Sequence, residues 1–159
     1  MTLAEKTHAT LAAWPAFSAG CQTLTVEEAG QRFECDFSAV DTLACAFTRF
    51  ELHSDALASA GIERLRAVSQ DLSRRLTYLL EPIAPIEVDA EQCVVQLRSN
   101  PPQRDEQRTS YYELLVRRSG DLSLCRWTKA AGDVRQPLAA HVTREVFLRL
   151  VGDFSAAAK

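Results

Sequence analysis

The sequence predicts an α+β domain, an antiparallel sheet of four to six strands with two main helices packed on one face. Three observations carry that expectation. Residues 109–129 (TSYYELLVRRSGDLSLCRWTK) alternate apolar and polar side chains on either side of Ser119-Gly120-Asp121, the pattern of a β-hairpin. Residues 86–98 repeat the pattern with Ile86 and Val88, then Cys93, Val95 and Leu97. Helical periodicities over 55–81 and 137–151 bracket these four strands. At 159 residues and 47% hydrophobic, the chain suits a single domain over 1–159, large enough to bury a core without metals or disulfides.

An N-terminal helix or arm is expected over 1–22, its alanine- and leucine-rich part closing before Pro15. Thr23, Leu24, Thr25 and Val26 form a short strand or the lead into a turn at Glu27-Glu28-Ala29-Gly30. Phe33, Cys35 and Phe37 then alternate with Arg32, Glu34 and Asp36, as in a half-buried strand. Residues 43–53 fit both periods: Thr48, Phe50 and Leu52 alternate, while Leu43, Phe47 and Phe50 share helical spacing. The aromatic content favours a strand.

Ser54 or Asp55 can cap a helix over 55–81, with Gly61 marking a break or the true start. Its apolar face is Ile62, Leu65, Leu72, Leu76 and Leu79, and Pro82 lies just beyond its end. The stretch 99–110 (SNPPQRDEQRTS) holds no large apolar residue and reads as a solvated loop. In the second hairpin, Tyr112, Leu114 and Val116 are expected to share the core face with Cys125 and Trp127. Glu113, Leu115, Arg117, Leu124 and Arg126 then face outward, and a Ser-Gly tip sets Glu113 directly across from Arg126. Pro137 suits the first turn of a last helix that buries Leu138, Val142, Val146, Phe147, Leu150 and Val151. Gly152 ends it, and 155–159 should fray.

Net charge is −3, which argues against bulk affinity for nucleic acid or an anionic membrane. The charge is uneven: residues 1–60 carry three basic against eight acidic side chains, and residues 61–159 fifteen against thirteen. Fifteen of the eighteen basic residues are arginine, the cation suited to bidentate contacts with carboxylate or phosphate. Five widely spaced cysteines with no C-x-x-C point to free thiols in a reducing cytoplasm. Ser18-Ala19-Gly20-Cys21 resembles a lipoprotein cleavage box. Ser18 stands where leucine is usual, Pro15 interrupts the apolar stretch, and Glu5 offsets Lys6, so lipidation is disfavoured.

Chemistry finds little support. His8, His53 and His141 lie in separate elements without metal-ligand spacing. Cys45 with His53 or His141 is the best nucleophilic pair that can be drawn, but Cys45 lacks a neighbouring cation to lower its pKa. No G-x-S-x-G and no glycine-rich phosphate loop occurs. Asp36 with Asp41, and Glu87 with Asp89, read as the solvated sides or turns of strands. No catalytic residue, metal ligand or cofactor is assigned.

The remaining constellation is basic: Arg98, Arg104, Arg108, Arg117, Arg118, Arg126, Lys129 and Arg135. Solvated cross-strand ion pairs would account for most of it. A docking surface would use Arg98, Arg108, Tyr111, Arg117 and Arg126, with an acidic protein or peptide, or a second copy in a homodimer, as partner. In element order and size alone the chain resembles the type III secretion chaperones, small acidic α+β homodimers that bind effector segments. It has no motif of that family, and its second hairpin adds strands after the long helix. The expected function is a non-enzymatic interaction or peptide-binding domain using an exposed sheet face or dimer surface. The alternative is a small anionic-ligand-binding protein or enzyme with an arginine-lined pocket between sheet and helices.

Overall fold

The β1–β2–β3 meander follows directly from the alternation of Phe33, Cys35 and Phe37. The computed structural model describes residues 1–159, the side chains of Ser18 and Ala19 excepted. Ser18, which breaks the lipoprotein pattern, is thus outside the described side chains. After helix α1 (Leu3–Ala12), strands β1 (Phe17–Glu28), β2 (Gln31–Asp41) and β3 (Ala44–Ser54) pair antiparallel in sequence order. Ala29 and Gly30 join β1 to β2 with φ of 49° and 77°, the left-handed pair that a two-residue hairpin loop requires. Asp41 turns β2 into β3, its Oδ1 accepting from the backbone N–H of Leu43 and Ala44 at 2.7 Å each. The ambiguous stretch 43–53 is a strand.

The second half supplies helix α2 (Ile62–Arg75), strands β4 (Ile83–Asp89), β5 (Val94–Ser99), β6 (Gln103–Arg104), β7 (Arg108–Arg117), β8 (Asp121–Ala130), β9 (Gln136–Leu138) and β10 (Ala140–Thr143), and helix α3 (Arg144–Ala157). The sheet has ten strands rather than four to six, in the order β1-β2-β3-β8-β7-β5-β4, and three helices rather than two. β10 pairs with β3, β6 with β7 and β9 with β8. Among the described residues no helix is long and apolar enough to cross a membrane.

Several expected boundaries move, each for a local reason. Helix α2 covers 62–75 rather than 55–81. Asp55–Leu57 forms a 3-10 turn, Ser59 enters the left-handed region at φ 65°, and Gly61 takes the cap position. At the other end Leu76 leaves helical geometry at ψ 66°, so residues 76–82 run irregularly back over the sheet. Helix α3 covers 144–157 rather than 137–151. Thr143 is its cap, with Oγ1 accepting from Val146 N at 3.1 Å. Pro137 instead lies in β9, a strand that pairs with one neighbour and so tolerates a missing donor. The loop 99–110 contains β6, paired to β7 through Gln103 and Arg104.

Neither chain end is loose. Residues 1–22 split between α1 and the start of β1, with Trp14 set edge-on against Phe37 at 5.8 Å. Residues 155–157 are helical, Ala158 is fully buried, and Ser54 Oγ donates to Ala158 O at 2.6 Å. The C-terminal turn is held by that bond rather than frayed.

The second hairpin shows the most consequential shift. Val116 pairs with Leu122, Leu114 with Leu124 and Tyr112 with Arg126, so three residues, Arg118-Ser119-Gly120, form the loop. Gly120 sits at φ 95° and donates to Arg117 O at 3.0 Å, the arrangement of a three-residue hairpin closed by a left-handed residue. This one-residue slip turns the whole of β8 over relative to expectation. Leu122, Leu124 and Arg126 join Tyr112, Leu114 and Val116 on the helix side, while Cys125 and Trp127 move to the opposite face with Glu113.

The core lies between the sheet and the helices. Phe147 of α3 sits among Phe33, Phe37, Phe47 and Phe50, with ring centroids 5.2–6.0 Å away. Phe154 packs on Phe50 at 4.9 Å. α2 adds Leu65, Val68 and Leu72 over β5 and β7. Between β3 and β8 the sheet opens. Phe50 to His53 of β3 pair with β8, but Ala44 to Phe47 pair with β10 instead. The β9–β10 segment fills the gap as a wedge, bonded first to β8 and then to β3.

Two substitutions test this packing. Phe147→Ala is expected to lower the unfolding free energy by about 3–5 kcal/mol in urea titrations, since it opens a cavity at the aromatic centre. Gly120→Ala places a Cβ 2.6 Å from Ser54 O at a left-handed position, so a loss of about 2 kcal/mol or more is expected.

Candidate functional site

All three helices pack on one side of the sheet, which leaves the other side open, and side chains that alternate outward along the strands form its surface. One row across this face is Glu34, Glu51, Ser123, Leu115, Gln96 and Glu87, each directly opposite the next. Two ion clusters stand on either side of β8, the middle strand of the main seven.

The first is built on Glu113, which is only 4% exposed although it lies on the open face. Its Oε2 accepts from Arg135 Nη1 at 2.8 Å, Gln96 Nε2 at 2.8 Å and Arg98 Nη2 at 3.4 Å. Tyr111 and Trp127 face each other across β7 and β8. The Arg98 guanidinium lies 4.8 Å above the Tyr111 ring and that of Arg135 3.9 Å above the Trp127 ring. Two cations on one carboxylate leave this cluster at net +1. It is incompletely satisfied: Arg98 Nε is buried without a partner, and Trp127 Nε1 is buried with only the Cys125 sulfur beside it. Burial raises the Cys125 thiol pKa and the Glu113 charge adds to the rise, so Cys125 stays protonated.

The second cluster inverts the first. Arg49 of β3 donates from Nε to Asp36 Oδ2 at 2.7 Å, and from Nη1 to Glu34 Oε2 at 2.9 Å and Glu51 Oε2 at 2.7 Å. Three carboxylates around one guanidinium give net −2. Hydrogen bonds from Arg49 hold the Asp36 and Glu34 carboxyls below the usual carboxylate range, against the opposing effect of partial burial. Arg32 extends the network by pairing with Glu34.

Of the five residues expected to form a docking surface, Arg98 and Tyr111 meet in the Glu113 cluster. Arg117 lies farther along the same face, donating to Ser123 Oγ at 3.3 Å. Arg108 is exposed at the start of β7, opposite Ala130, outside the cluster. Arg126 is on the other face. It is 5% exposed, pairs with Glu81 at 3.1 Å, donates to Gln103 Oε1 at 3.0 Å, and covers the Tyr112 ring at 4.5 Å. It therefore neither faces outward nor lies opposite Glu113, whose partner across the strands is Cys125. Arg126 shares its side of the sheet with Arg108, which has the parity of Tyr112 on β7, and Glu81 neutralises Arg126 there. Sequence reasoning gave no role to Arg49, expected Trp127 in the core, and named Arg135 in the basic set without assigning it to the docking surface. Only the crowding of Glu34, Asp36 and Glu51 around a lone arginine hinted at the first.

The other titratable groups have structural partners. His53 Nδ1 is 2.8 Å from Asp121 Oδ1, tying the end of β3 to β8. His141 lies on β10, exposed, rather than on a helix. Cys45 pairs through its backbone with Val142, and burial pushes its thiol up to about 12. Asp41 is used in its own turn. Among the described residues no group of three His, Cys, Asp or Glu side chains can hold a metal ion. One hollow, of about 340 Å³, adjoins the second cluster and is lined by Arg32, Glu34, Glu51, His53 and Asp121, while one of about 570 Å³ lies beside the β1–β2 turn and one of about 320 Å³ is lined by Leu80, Pro82, Pro101 and Pro102.

Asp36 and Glu34 have folded-state pKa values below their unfolded ones, so their stabilisation is present above about pH 4–5 and is lost as pH falls through the folded values. Unfolding free energy measured between about pH 2 and 6 is expected to show a shallower acid limb in Asp36→Asn than in the parent chain. Arg126→Ala is expected to cost about 3–5 kcal/mol by leaving Glu81 buried and unpaired, whereas Arg126→Met with Glu81→Leu recovers most of that loss in the same denaturation assay. No family model, no curated protein and no solved structure matches this chain.

Proposed function

We propose that this chain is a non-enzymatic binding domain that takes an extended peptide along the free edge of β4. The observation that carries this reading is the edge itself. β4 pairs with β5 alone, so the far side of a seven-residue strand presents unpaired backbone donors and acceptors. Ile86 is 48% exposed and Val88 36%, two β-branched side chains beyond the start of β4, where Ile83 is buried and its carbonyl accepts from Ser73 of α2. The other edge, β1, is less suited. Its outward Thr23 is already bonded to Asp36, and a register shift between Ala19 and Gln22 breaks its line.

The chemistry of the edge also selects an occupant. Pro85, which has no N–H, and the bulge between Pro85 and Glu87 spoil its first half for pairing. From Ile86 on, apolar residues alternate with Glu87 and Asp89. A strand alternating β-branched and basic residues complements both sets, whereas a second β4 sets carboxylate against carboxylate. Main-chain hydrogen bonds supply the affinity and the alternating side chains the selectivity.

Amide exchange of the full chain with two synthetic peptides tests this, one alternating valine with lysine and the other valine with aspartate. The lysine peptide is expected to slow exchange at 86–89, and Ile86→Lys to abolish the effect without changing the fold. Equal exchange at β4 with and without the lysine peptide defeats the proposal.

A further inference from the structure

We infer that the open face of the sheet is covered by a second copy of this chain, with the Arg49 cluster of each copy lying on the Glu113 cluster of the other. The contact is made by the clusters flanking β8 and leaves the backbone edge of β4 free, so the inference stands apart from the peptide-binding proposal.

The two clusters carry opposite net charge. The network of Glu34, Asp36, Arg49 and Glu51, with Arg32 paired to Glu34, has net −1, and the cluster of Arg98, Glu113 and Arg135 has net +1, with Arg117 on the same strand and face. A partner of a single sign satisfies one cluster and repels the other. A partner with both signs at the same spacing satisfies both, and the chain itself is such a partner.

Position comes next. Arg49 is on β3 and Glu113 on β7, the strands immediately flanking β8. Strand spacing puts the clusters about 10 Å apart, one on each side of the β8 line. A two-fold axis running along β8 in the plane of contact places β3 of one copy over β7 of the other. An axis across the strands instead sets like on like, so electrostatics alone selects the first arrangement. Level with the two clusters the outward residues of β8 are Ser123 and Cys125, both small and neutral, which lets the two sheets approach there, while Asp121 and Trp127 face outward beyond them on either side.

The surface is also stiff. Stacking on Tyr111 and Trp127 fixes Arg98 and Arg135, and hydrogen bonds to three carboxylates fix Arg49. Each of these guanidinium side chains nonetheless keeps 37–38% of its area exposed and open to a facing carboxylate. Side chains already immobilised lose little entropy on docking. The contact is polar, so the dimer should weaken steeply with salt.

Sedimentation equilibrium of the full chain tests this at about 0.02 M and 0.5 M salt. A dimer at low salt whose dissociation constant rises at least tenfold at high salt is expected. Arg98→Glu with Arg135→Glu makes both clusters acidic, and Glu34→Lys with Glu51→Lys makes both basic. Each double variant is expected to be monomeric alone, and an equimolar mixture to form a heterodimer. Circular dichroism reports whether each double variant folds. Ser123→Arg, which changes no cluster residue but sets two cations on the axis, gives an independent readout and is expected to be monomeric. A wild-type chain that stays monomeric at low salt overturns the inference. So does a dimer indifferent to Ser123→Arg, or a mixture of folded double variants that remains monomeric.

Discussion

The packing of Phe147 into the aromatic face of β2 and β3 is the contact on which the remainder of the molecule depends. It is made by a helix near the C-terminal end against strands laid down about a hundred residues earlier, and it fixes α3 across the middle of the sheet. With α3 in place, α1 and α2 pack on its two flanks, and the helix layer is complete on one side only. The open surface follows by subtraction. A sheet covered on one face must solvate the other, and this one does so with ion clusters rather than scattered polar groups.

Those clusters differ in physical character from the Glu81–Arg126 pair on the helix side. The inner pair is almost wholly desolvated and is held by Gln103 and the Tyr112 ring. Such a pair contributes little net stability, and its loss is costly mainly because one charge is left behind. The outer clusters keep water on their guanidinium groups and have uneven charge. A closed, neutral pair suits a structural role. An open, unbalanced cluster retains a net field that a partner can meet.

The strands were legible wherever one parity of the sequence was apolar and the other polar. Phe33, Cys35 and Phe37 leave no choice of face, and neither do Tyr112, Leu114 and Val116. β8 was not legible because both parities are apolar: Leu122 and Leu124 on one, Cys125 and Trp127 on the other. The loop length alone decides between them, and Ser119-Gly120 suits a two-residue loop as readily as the three-residue loop that forms. Arg126 was misplaced with them, since nothing nearby in sequence announces that Glu81 waits 45 residues away on the inner side. β9 and β10 are too short to show a period, and a proline before an amphipathic helix belongs equally to a strand or to a first turn. Of the candidate surface, the arginines of β5 and β7 were visible, but their convergence on Glu113 with Arg135 depends on pairing that only the fold provides.

The wedge of β9 and β10 sets the order in which this molecule can be completed. The β1–β3 meander is local in sequence and can pair early, but Phe33, Phe37, Phe47 and Phe50 have no cover until α3 arrives. The first half of β3 likewise has no neighbour on its far side until β10 is in place. A chain emerging from the ribosome therefore holds an exposed aromatic face and an open seam through most of its synthesis, and one segment of about twenty residues closes both. Stability and completion are concentrated in the same late stretch, so a chain cut short before residue 136 loses the seam, the helix and the core together.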